Sequence, residues 1–136
     1  MPYLLDTNVL SELRKGARSN PKVRQWALST IGDRHCICVL SLGEIRKGIE
    51  LLRNKSPDQC PAFERWLALL LRDFEQDILP ITENIVDRWG RLIAGQPLPV
   101  IDSLIAATAL EYGLTVVTRN TADFQRTGVK LVNPFE

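Results

Sequence analysis

Short apolar segments alternate with longer segments of helical periodicity, and this pattern most constrains the fold of the chain. The apolar segments, such as residues 3–5 and 114–118, lack the polar alternation of a strand with one wet face. Uniformly apolar strands are typical of parallel sheets that are covered on both faces, with helices as the crossovers. We therefore predict an α/β fold with three layers, α/β/α, around a central parallel sheet of about five strands.

The boundaries of these segments come from turn and cap residues. The strands are predicted at residues 3–5, 36–40, 78–81, 114–118 and 129–132. Apolar residues at helical spacing predict the helices between them. Asn20-Pro21, Ser41 and Thr82 are expected to begin three of the helices, and Gly113 is expected to end the helix over residues 102–112. Residues 61–74 are predicted to form a further, strongly apolar helix.

The length and composition are those of one globular domain. The chain has 136 residues, 45% of them hydrophobic and 24% charged, which fits a single domain over residues 1–136. No apolar run approaches the roughly 20 residues that span a bilayer, and no signal peptide is recognisable, so we expect no membrane contact and a cytoplasmic protein. The net charge of +1 gives no hint of a polyanionic partner.

Three cysteines are too few and too oddly numbered for a disulfide framework. Cys36 and Cys38 alternate along a predicted strand and should share one of its faces. His35 beside them invites a zinc interpretation, but the spacing matches no usual zinc pattern. We therefore expect buried core cysteines.

Four acidic residues fall where strands end or where the next helices begin. Asp6 follows the first strand, and Glu44 lies in the first turn of the helix after the second. Asp102 begins the helix before the fourth strand, and Asp123 follows that strand. In right-handed crossovers these points lie at the carboxyl edge of the sheet, where functional groups gather. We predict that the four acids converge there.

Each acid also has an ordinary structural explanation. Ser41 and Glu44 match a capping box, Asp102 could be an N-cap, and Asp123 could lie in a surface turn. Asp6 is the hardest to explain in this way, because a charge that ends a buried strand is unfavourable without a partner.

Electrostatics favours a functional cluster. Two carboxylates ~5 Å apart at an effective dielectric constant of about 20 repel by about 3 kcal/mol, and a marginally stable fold could hardly tolerate several such pairs unaided. Either some of the carboxyl groups are protonated or a cation lies among them. Oxygen ligands select hard ions, so we expect Mg²⁺ or Mn²⁺.

Four motifs, in order along the whole chain, resemble the PIN-domain nucleases and, within them, the VapC-type toxins of bacterial toxin–antitoxin pairs. The motifs are residues 4–12 (LLDTNVLSE), 41–45 (SLGEI), 99–109 (PVIDSLIAATA) and 117–124 (VTRNTADF), the last followed by Val132-Asn133-Pro134. Each motif is weak alone, and the four together are specific.

The resemblance implies a parallel sheet between helices and Mg²⁺- or Mn²⁺-dependent cleavage of RNA, leaving a 5′-phosphate and a 3′-hydroxyl. By position, Asp6 and Asp102 resemble the principal metal ligands. Glu44 resembles a further ligand or the group that orients water, and Asp123 the fourth acid. The polar residues expected to brace these carboxylates are Thr7, Asn8, Thr118 and Asn120.

The resemblance also implies partners. A small antitoxin is expected to hold the protein inactive by laying a helix in a groove and a basic side chain near the acids, and homodimers are common in the family. For the RNA substrate, we consider the basic residues close to the acid-bearing segments. They are Arg14, Lys15, Arg46, Lys47 and Arg119, of which Arg119 is the best individual candidate.

Three alternatives belong to other functional classes. A phosphatase with an aspartate nucleophile needs a second aspartate two residues after Asp6, where this chain has Asn8. A phospho-receiver module expects an acidic pair near the start and a late lysine, neither of which is convincing here. A non-catalytic RNA-binding or scaffolding module is the third alternative, and the intact acids argue against it.

Overall fold

A five-stranded parallel sheet forms the centre of the computed structural model, which describes all residues from 1 to 136. The strands are β1 (Tyr3–Leu5), β2 (His35–Cys38), β3 (Ile78–Leu79), β4 (Thr115–Val117) and β5 (Leu131–Val132). Their order in the sheet is β3-β2-β1-β4-β5, and every neighbouring pair is parallel. The predicted parallel sheet is confirmed, with β1 in the middle.

Seven α-helices connect the strands. They are α1 (Thr7–Leu13), α2 (Pro21–Ser29), α3 (Val39–Lys55), α4 (Cys60–Asp73), α5 (Glu83–Ile93), α6 (Val100–Tyr112) and α7 (Thr121–Phe124). The predicted caps of α2 and α5 are confirmed, because Asn20 accepts a hydrogen bond from the backbone N–H of Lys22 and Thr82 accepts one from Ile85. Gly113 ends α6 with φ 66°, a left-handed conformation that favours glycine.

Alternate residues of the strands feed two separate apolar cores. Tyr3, Leu5 and Ile37 pack on one face of the sheet, against a core that includes Ile49 of α3 and Leu67 of α4. Leu4 belongs to the other core, together with the two cysteines of β2 and Ile105 of α6. Helices thus cover both faces, which confirms the three-layer architecture.

The three cysteines are free and buried, so the expectation of core cysteines is confirmed. Cys36 and Cys38 lie on the same face of β2, in the core that α6 covers. None of the helices is both long enough and apolar enough to cross a lipid bilayer.

The predicted boundary between β2 and α3 is wrong. The strand ends at Cys38, which is the N-cap of α3, and the helix begins at Val39. Ser41 therefore lies inside the helix on the face of Ile45 and Ile49, fully buried, and its Oγ has no hydrogen-bond partner. The capping box of Ser41 and Glu44 does not form. Ser41 lies four residues before Ile45 on the same helix face, so its side chain points into the core.

Smaller corrections concern the other ends. The third, fourth and fifth strands are shorter than predicted, and the helix predicted from residue 102 begins at Val100, with Pro99 as N-cap. Asp102 is the third residue of α6 and not an N-cap. Its side chain does not cap the helix and is therefore available for interactions at the carboxyl edge of the sheet.

Candidate active site

Asp6 lies at the carboxyl end of the central strand, between the ends of its two neighbours. Its backbone N–H continues the sheet by donating to the carbonyl of Val117 at 2.9 Å, and the side chain is the N-cap of α1. The strand order places the residues after β2 on one side of Asp6 and the residues after β4 on the other. The parallel topology thus brings distant parts of the sequence to one edge.

The carboxylate of Asp6 is buried, with 4% of the residue exposed. Oδ1 accepts from the backbone N–H of Thr7 at 2.8 Å, and Oδ2 accepts from the Thr118 hydroxyl at 2.8 Å and the Asn8 amide at 3.2 Å. Burial raises the pKa of Asp6, the hydrogen bonds from Thr118 and Thr7 counteract that rise, and the charge of Glu44 adds to it. The net result is a raised pKa, which the hydrogen bonds reduce but do not cancel.

Asn8 and Thr118 connect the ends of β1 and β4. The Asn8 amide also donates to the Thr118 hydroxyl oxygen at 3.2 Å, while Asn8 Oδ1 accepts from the backbone N–H of Arg119 at 3.0 Å. The backbone N–H of Asn120 donates to Thr118 Oγ1 at 3.0 Å, and the Asn120 side chain makes no hydrogen bond. The structure therefore places three of the four expected bracing side chains, those of Thr7, Asn8 and Thr118, in contact with the acids.

Glu44 reaches the site from the exposed side of α3. Its Oε1 accepts a hydrogen bond of 2.7 Å from the hydroxyl of Thr7, 37 residues away in sequence. This bond ties α3 to the start of α1 and directs the carboxylate towards Asp6. Glu44 is thus a member of the acidic cluster and not a cap of its own helix.

Asp102 is the acid most affected by its neighbours. Partial burial, followed by the charges of Asp6, Asp123 and Glu44 in that order, raises the pKa of Asp102 to about 6. A hydrogen bond with Asp123 also favours the protonated form. The other three predicted acids thus act on Asp102, and Asp123 itself lies exposed on the short helix α7.

A partly buried contact between two helices lies directly beside Asp102. The indole N–H of Trp89 in α5 donates to the Ser103 hydroxyl at 2.9 Å, and that hydroxyl donates to the carbonyl of Val100. Sequence reasoning missed this contact between Trp89 and Ser103. The only signal was the position of Ser103 directly after an acid of the third motif.

The carboxylate oxygens of the site suit a hard divalent cation, although the side chains are too far apart to bind one together in their present positions. No three carboxylate, thiol or imidazole groups of the chain lie close enough together to form a metal-binding group. Besides burial, the charges of Asp6, Asp123 and Glu44 raise the pKa of Asp102, so negative charges lie near one another here. Carboxylate oxygens are the ligands that Mg²⁺ and Mn²⁺ prefer, and a cation would relieve this repulsion.

The basic candidates fall into two groups. Lys15 pairs with Glu12 at 3.2 Å, and Arg46 pairs with Glu64 at 2.8 Å and Glu50 at 3.3 Å. The other three make no ion pair: Lys47 lines a shallow groove beside Glu44, Arg14 stacks on aromatic rings of α4, and Arg119 stacks on Phe135 near the C-terminus.

Proteins of similar sequence include named toxins and ribonucleases. Toxin FitB of Neisseria gonorrhoeae is 32% identical over 97% of this chain and 97% of its own length. VapC ribonuclease Y4jK of Sinorhizobium fredii is 28% identical over 98% of this chain and 97% of its own. A solved toxin–antitoxin complex from Klebsiella pneumoniae contains a chain that superposes with a TM-score of 0.72 at 29% identity, covering 98% of both chains.

The match to a protein family extends over most of the fold. Residues 3–130 match the PIN domain, a span that includes every strand except the last and all four acids of the edge. The sheet order, the acid positions and the similar proteins agree with that match. The chain therefore belongs to the PIN domain family.

Proposed function

We propose that residues 1–136 form one nuclease domain that cleaves RNA with a divalent metal ion, Mg²⁺ or Mn²⁺, and acts as the toxin of a toxin–antitoxin pair. The observation that carries this proposal is the meeting of four carboxylates at one edge of the sheet, where burial and the charges of the other three raise the pKa of Asp102 to about 6. The names of the similar proteins, a toxin and a VapC ribonuclease, support the same chemistry.

Asp6 and Asp102 are the principal ligands in this proposal. Asp6 is fixed by three hydrogen bonds, so it offers a rigid, negatively charged anchor. Asp102 is only half-buried, and Glu44 and Asp123 are exposed, so these three side chains have room to rotate towards a shared ion. A divalent ion held there would polarise a phosphodiester and lower the pKa of bound water.

Glu44 and Thr7 have a separate task. The Thr7 hydroxyl donates a hydrogen bond to Oε1 of Glu44, whereas Oε2 accepts no hydrogen bond from the protein. We assign to Oε2 the orientation of the attacking water, because a general base must lie within hydrogen-bond reach of the proton that it accepts. The Asn8 amide is fully engaged with Asp6 and Thr118, so it does not fill the place of a phosphatase's second aspartate.

RNA cleavage by purified protein, with mapping of the 5′ ends, tests this function. Wild type with Mg²⁺ or Mn²⁺ should cleave and leave 5′-phosphates, whereas Asp102→Asn and wild type in EDTA should lose at least about 100-fold of the rate. Asp73→Asn is the matched control, because it removes an exposed carboxylate that pairs with Arg72 at the far end of α4. Equal cleavage by all four samples would contradict the proposal.

An antitoxin is the proposed protein partner, as in the Klebsiella pneumoniae complex. A cleft of about 240 Å³ leads from Thr7 and Glu44 to Phe63 and Trp66, between α1, α3 and α4, and is largely apolar. Such a lining fits the apolar face of a partner helix. We therefore place the antitoxin in this cleft and the protein in the cytoplasm, where RNA and a co-produced inhibitor are both available.

We also infer a homodimer. Val39, Leu51 and Ile101 are exposed and line a second, shallow groove on the other side of Glu44. Apolar side chains gathered in this way are typical of a contact surface. Leu51→Glu should convert a dimer into a monomer in sedimentation equilibrium, whereas Leu69→Glu, on the exposed face of α4, should not. A monomeric wild type would contradict the inference.

A further inference from the structure

Two arginines near the acids form no salt bridge with a carboxylate of the protein. Arg14 and Arg119 have no acidic oxygen within ion-pair distance, and neither guanidinium donates a hydrogen bond to the protein. Lys15 and Arg46 also lie close to the acid-bearing segments, but each of them forms an ion pair with a glutamate. The ten N–H donors of the two guanidinium groups thus make no hydrogen bond within the protein.

Aromatic rings hold both guanidinium groups in place. The guanidinium carbon of Arg14 lies 4.1 Å from the ring centre of Phe63 and 5.9 Å from that of Trp66. That of Arg119 lies 4.7 Å from the ring centre of Phe135. These distances are within the range of a cation–π interaction, which fixes a guanidinium plane and leaves its donors free.

The two arginines lie on opposite sides of Asp6. Arg14 follows the last residue of α1 and packs on α4, beside the cleft that contains Glu44, which is the side of β2. Arg119 follows β4, and its backbone N–H is bound to Asn8. In the sheet, β1 with Asp6 at its end lies between β2 and β4. About 12 Å of α1 separates Asp6 from Arg14, while Arg119 is next to the Thr118 that contacts Asp6.

We propose that Arg14 and Arg119, each supported by an aromatic ring, bind the backbone phosphates of a single RNA strand on either side of the bond to be cleaved. A guanidinium donates two parallel hydrogen bonds to a phosphate, and a planar support reduces the entropy lost on binding. RNA is favoured over an acidic protein segment, because a strand that is cleaved at the acids must pass between the two arginines. This inference rests on the proposed nuclease function and adds the residues that hold the substrate.

Phe135 is a positioning residue in this proposal. It is partly buried against the core, and its backbone N–H donates to the Asn133 side chain at 3.0 Å, which fixes the segment after β5. Arg119 is exposed and would sample many rotamers without the ring. Phe135 therefore affects RNA binding only through Arg119.

Equilibrium binding of a fluorescent single-stranded RNA tests the arginines separately from cleavage. In an Asp102→Asn background with Mg²⁺, Arg14→Gln and Arg119→Gln should each raise the Kd about 10-fold and reduce the salt dependence of log K by about 0.7. Arg72→Gln is the matched control, because this exposed arginine pairs with Asp73 at the opposite edge of the sheet and should not change the Kd. Unchanged affinity in both variants would overturn the proposal.

A double-mutant cycle tests the role of the ring. Phe135→Leu should raise the Kd for RNA several-fold, Phe135→Tyr should keep the wild-type value, and Phe135→Leu should have no further effect when Arg119 is already Gln. Additive effects would mean that Phe135 acts through general stability, which contradicts positioning. Thermal melts of each variant verify folding.

Two further outcomes separate the hypotheses. If wild type binds RNA through both arginines but does not cleave it, the nuclease function fails and the binding surface stands. If the arginine variants lose binding of poly-glutamate and keep full affinity for RNA, the surface binds an acidic protein segment and the RNA proposal is overturned.

Discussion

Asp6 has a structural role besides the proposed one as a metal ligand. One oxygen caps α1, and the other accepts from Thr118 and Asn8, so the side chain is part of the hydrogen bonding of the fold. Asn8 cannot turn its amide around, because its own oxygen is bound to the N–H of Arg119. In an Asp6→Asn variant, the new side-chain NH₂ group would face the NH₂ group of Asn8. Asp102 accepts no hydrogen bond from an amide or a hydroxyl of the protein, so it is the better position for removing a charge.

The stability of the metal-free protein should depend on the ionisation of Asp102. Because its folded pKa is about 6 and its ordinary value is 3.8, the folded state binds this proton more tightly than the unfolded state. Stability should therefore fall as the pH rises from about 4 to about 6 and stay low above that. Asp102→Asn removes the effect, so in EDTA at pH 7.5 the variant should be more stable by about 1–2 kcal/mol, after allowance for solvent screening.

Urea unfolding of both proteins in EDTA at pH 4, 5, 6 and 7.5 measures this difference. At pH 4 the two curves should nearly coincide, since Asp102 is protonated in the wild type. Asp73→Asn should show no such trend, because it removes an exposed carboxylate outside the cluster. A variant that is less stable than wild type at pH 7.5 would show that the ionised carboxylate stabilises the fold.

Thr118→Val should lower both the stability of the protein and its cleavage rate. The fully buried hydroxyl donates to Asp6, and its loss leaves a buried charge with one donor fewer. We expect a destabilisation of about 1–3 kcal/mol and a 10- to 100-fold loss of cleavage rate. Thr118→Ser keeps the donor and should retain most of both properties. Parallel urea titrations and cleavage assays measure them, and full activity in the valine variant would contradict a bracing role.

The identity of the acids was predictable, and most of their contacts were not. Asp6, Glu44, Asp102 and Asp123 follow strands or begin helices, and parallel topology alone brings such positions together. The bond between Thr7 and Glu44 and the stacking of Arg119 on Phe135 join side chains without a shared period or motif. Such contacts depend on rotamers and packing, which local sequence patterns do not encode.

At the scale of elements, α3 shows why one boundary was misplaced. Val39 and Leu40 extend the apolar run of β2, so the pattern favours a longer strand. In the structure the chain becomes helical at Val39, because this start places Ser41, Ile45 and Ile49 on the face that meets the sheet. The core contacts of a 17-residue helix outweigh the strand propensity of two residues.

The contact between α3 and α4 offers a comparison of apolar and ionic contributions. Ile49 is 2% exposed in the core, whereas Glu64 of α4 receives hydrogen bonds from Arg46 and Arg53 of α3 at the surface. Ile49→Ala should cost about 2–5 kcal/mol. Glu64→Gln should cost far less, because exposed ion pairs are screened by water and salt.

Urea midpoints at low and high salt measure both variants. The Ile49→Ala loss should be insensitive to salt, and the small Glu64→Gln loss should shrink further in 1 M NaCl. An effect of Glu64→Gln as large as that of Ile49→Ala would contradict this ranking and make the ion pairs the main link between the two helices.

At the scale of the whole molecule, metal binding should increase the thermal stability of the protein. An ion that binds only the folded state raises the free energy of unfolding, by about 2.7 kcal/mol at 100 times its Kd, and the melting temperature rises with it. Mg²⁺ or Mn²⁺ should therefore raise the melting temperature of wild type, and Asp102→Asn should lose most of the rise. Ca²⁺ and NaCl at equal ionic strength are the controls. Equal shifts in wild type and variant would place the ion elsewhere.

The central position of β1 has a consequence for synthesis of the protein on the ribosome. The first strand made cannot complete its pairing until β4 emerges, more than 100 residues later, and Asp6 waits for Thr118 over the same distance. Pairings of such long range form late in folding. A prematurely terminated fragment that stops before residue 115 would lack a neighbour of the middle strand and a brace of the acid beside it. A cell would thus meet a competent enzyme only after nearly the full message had been translated.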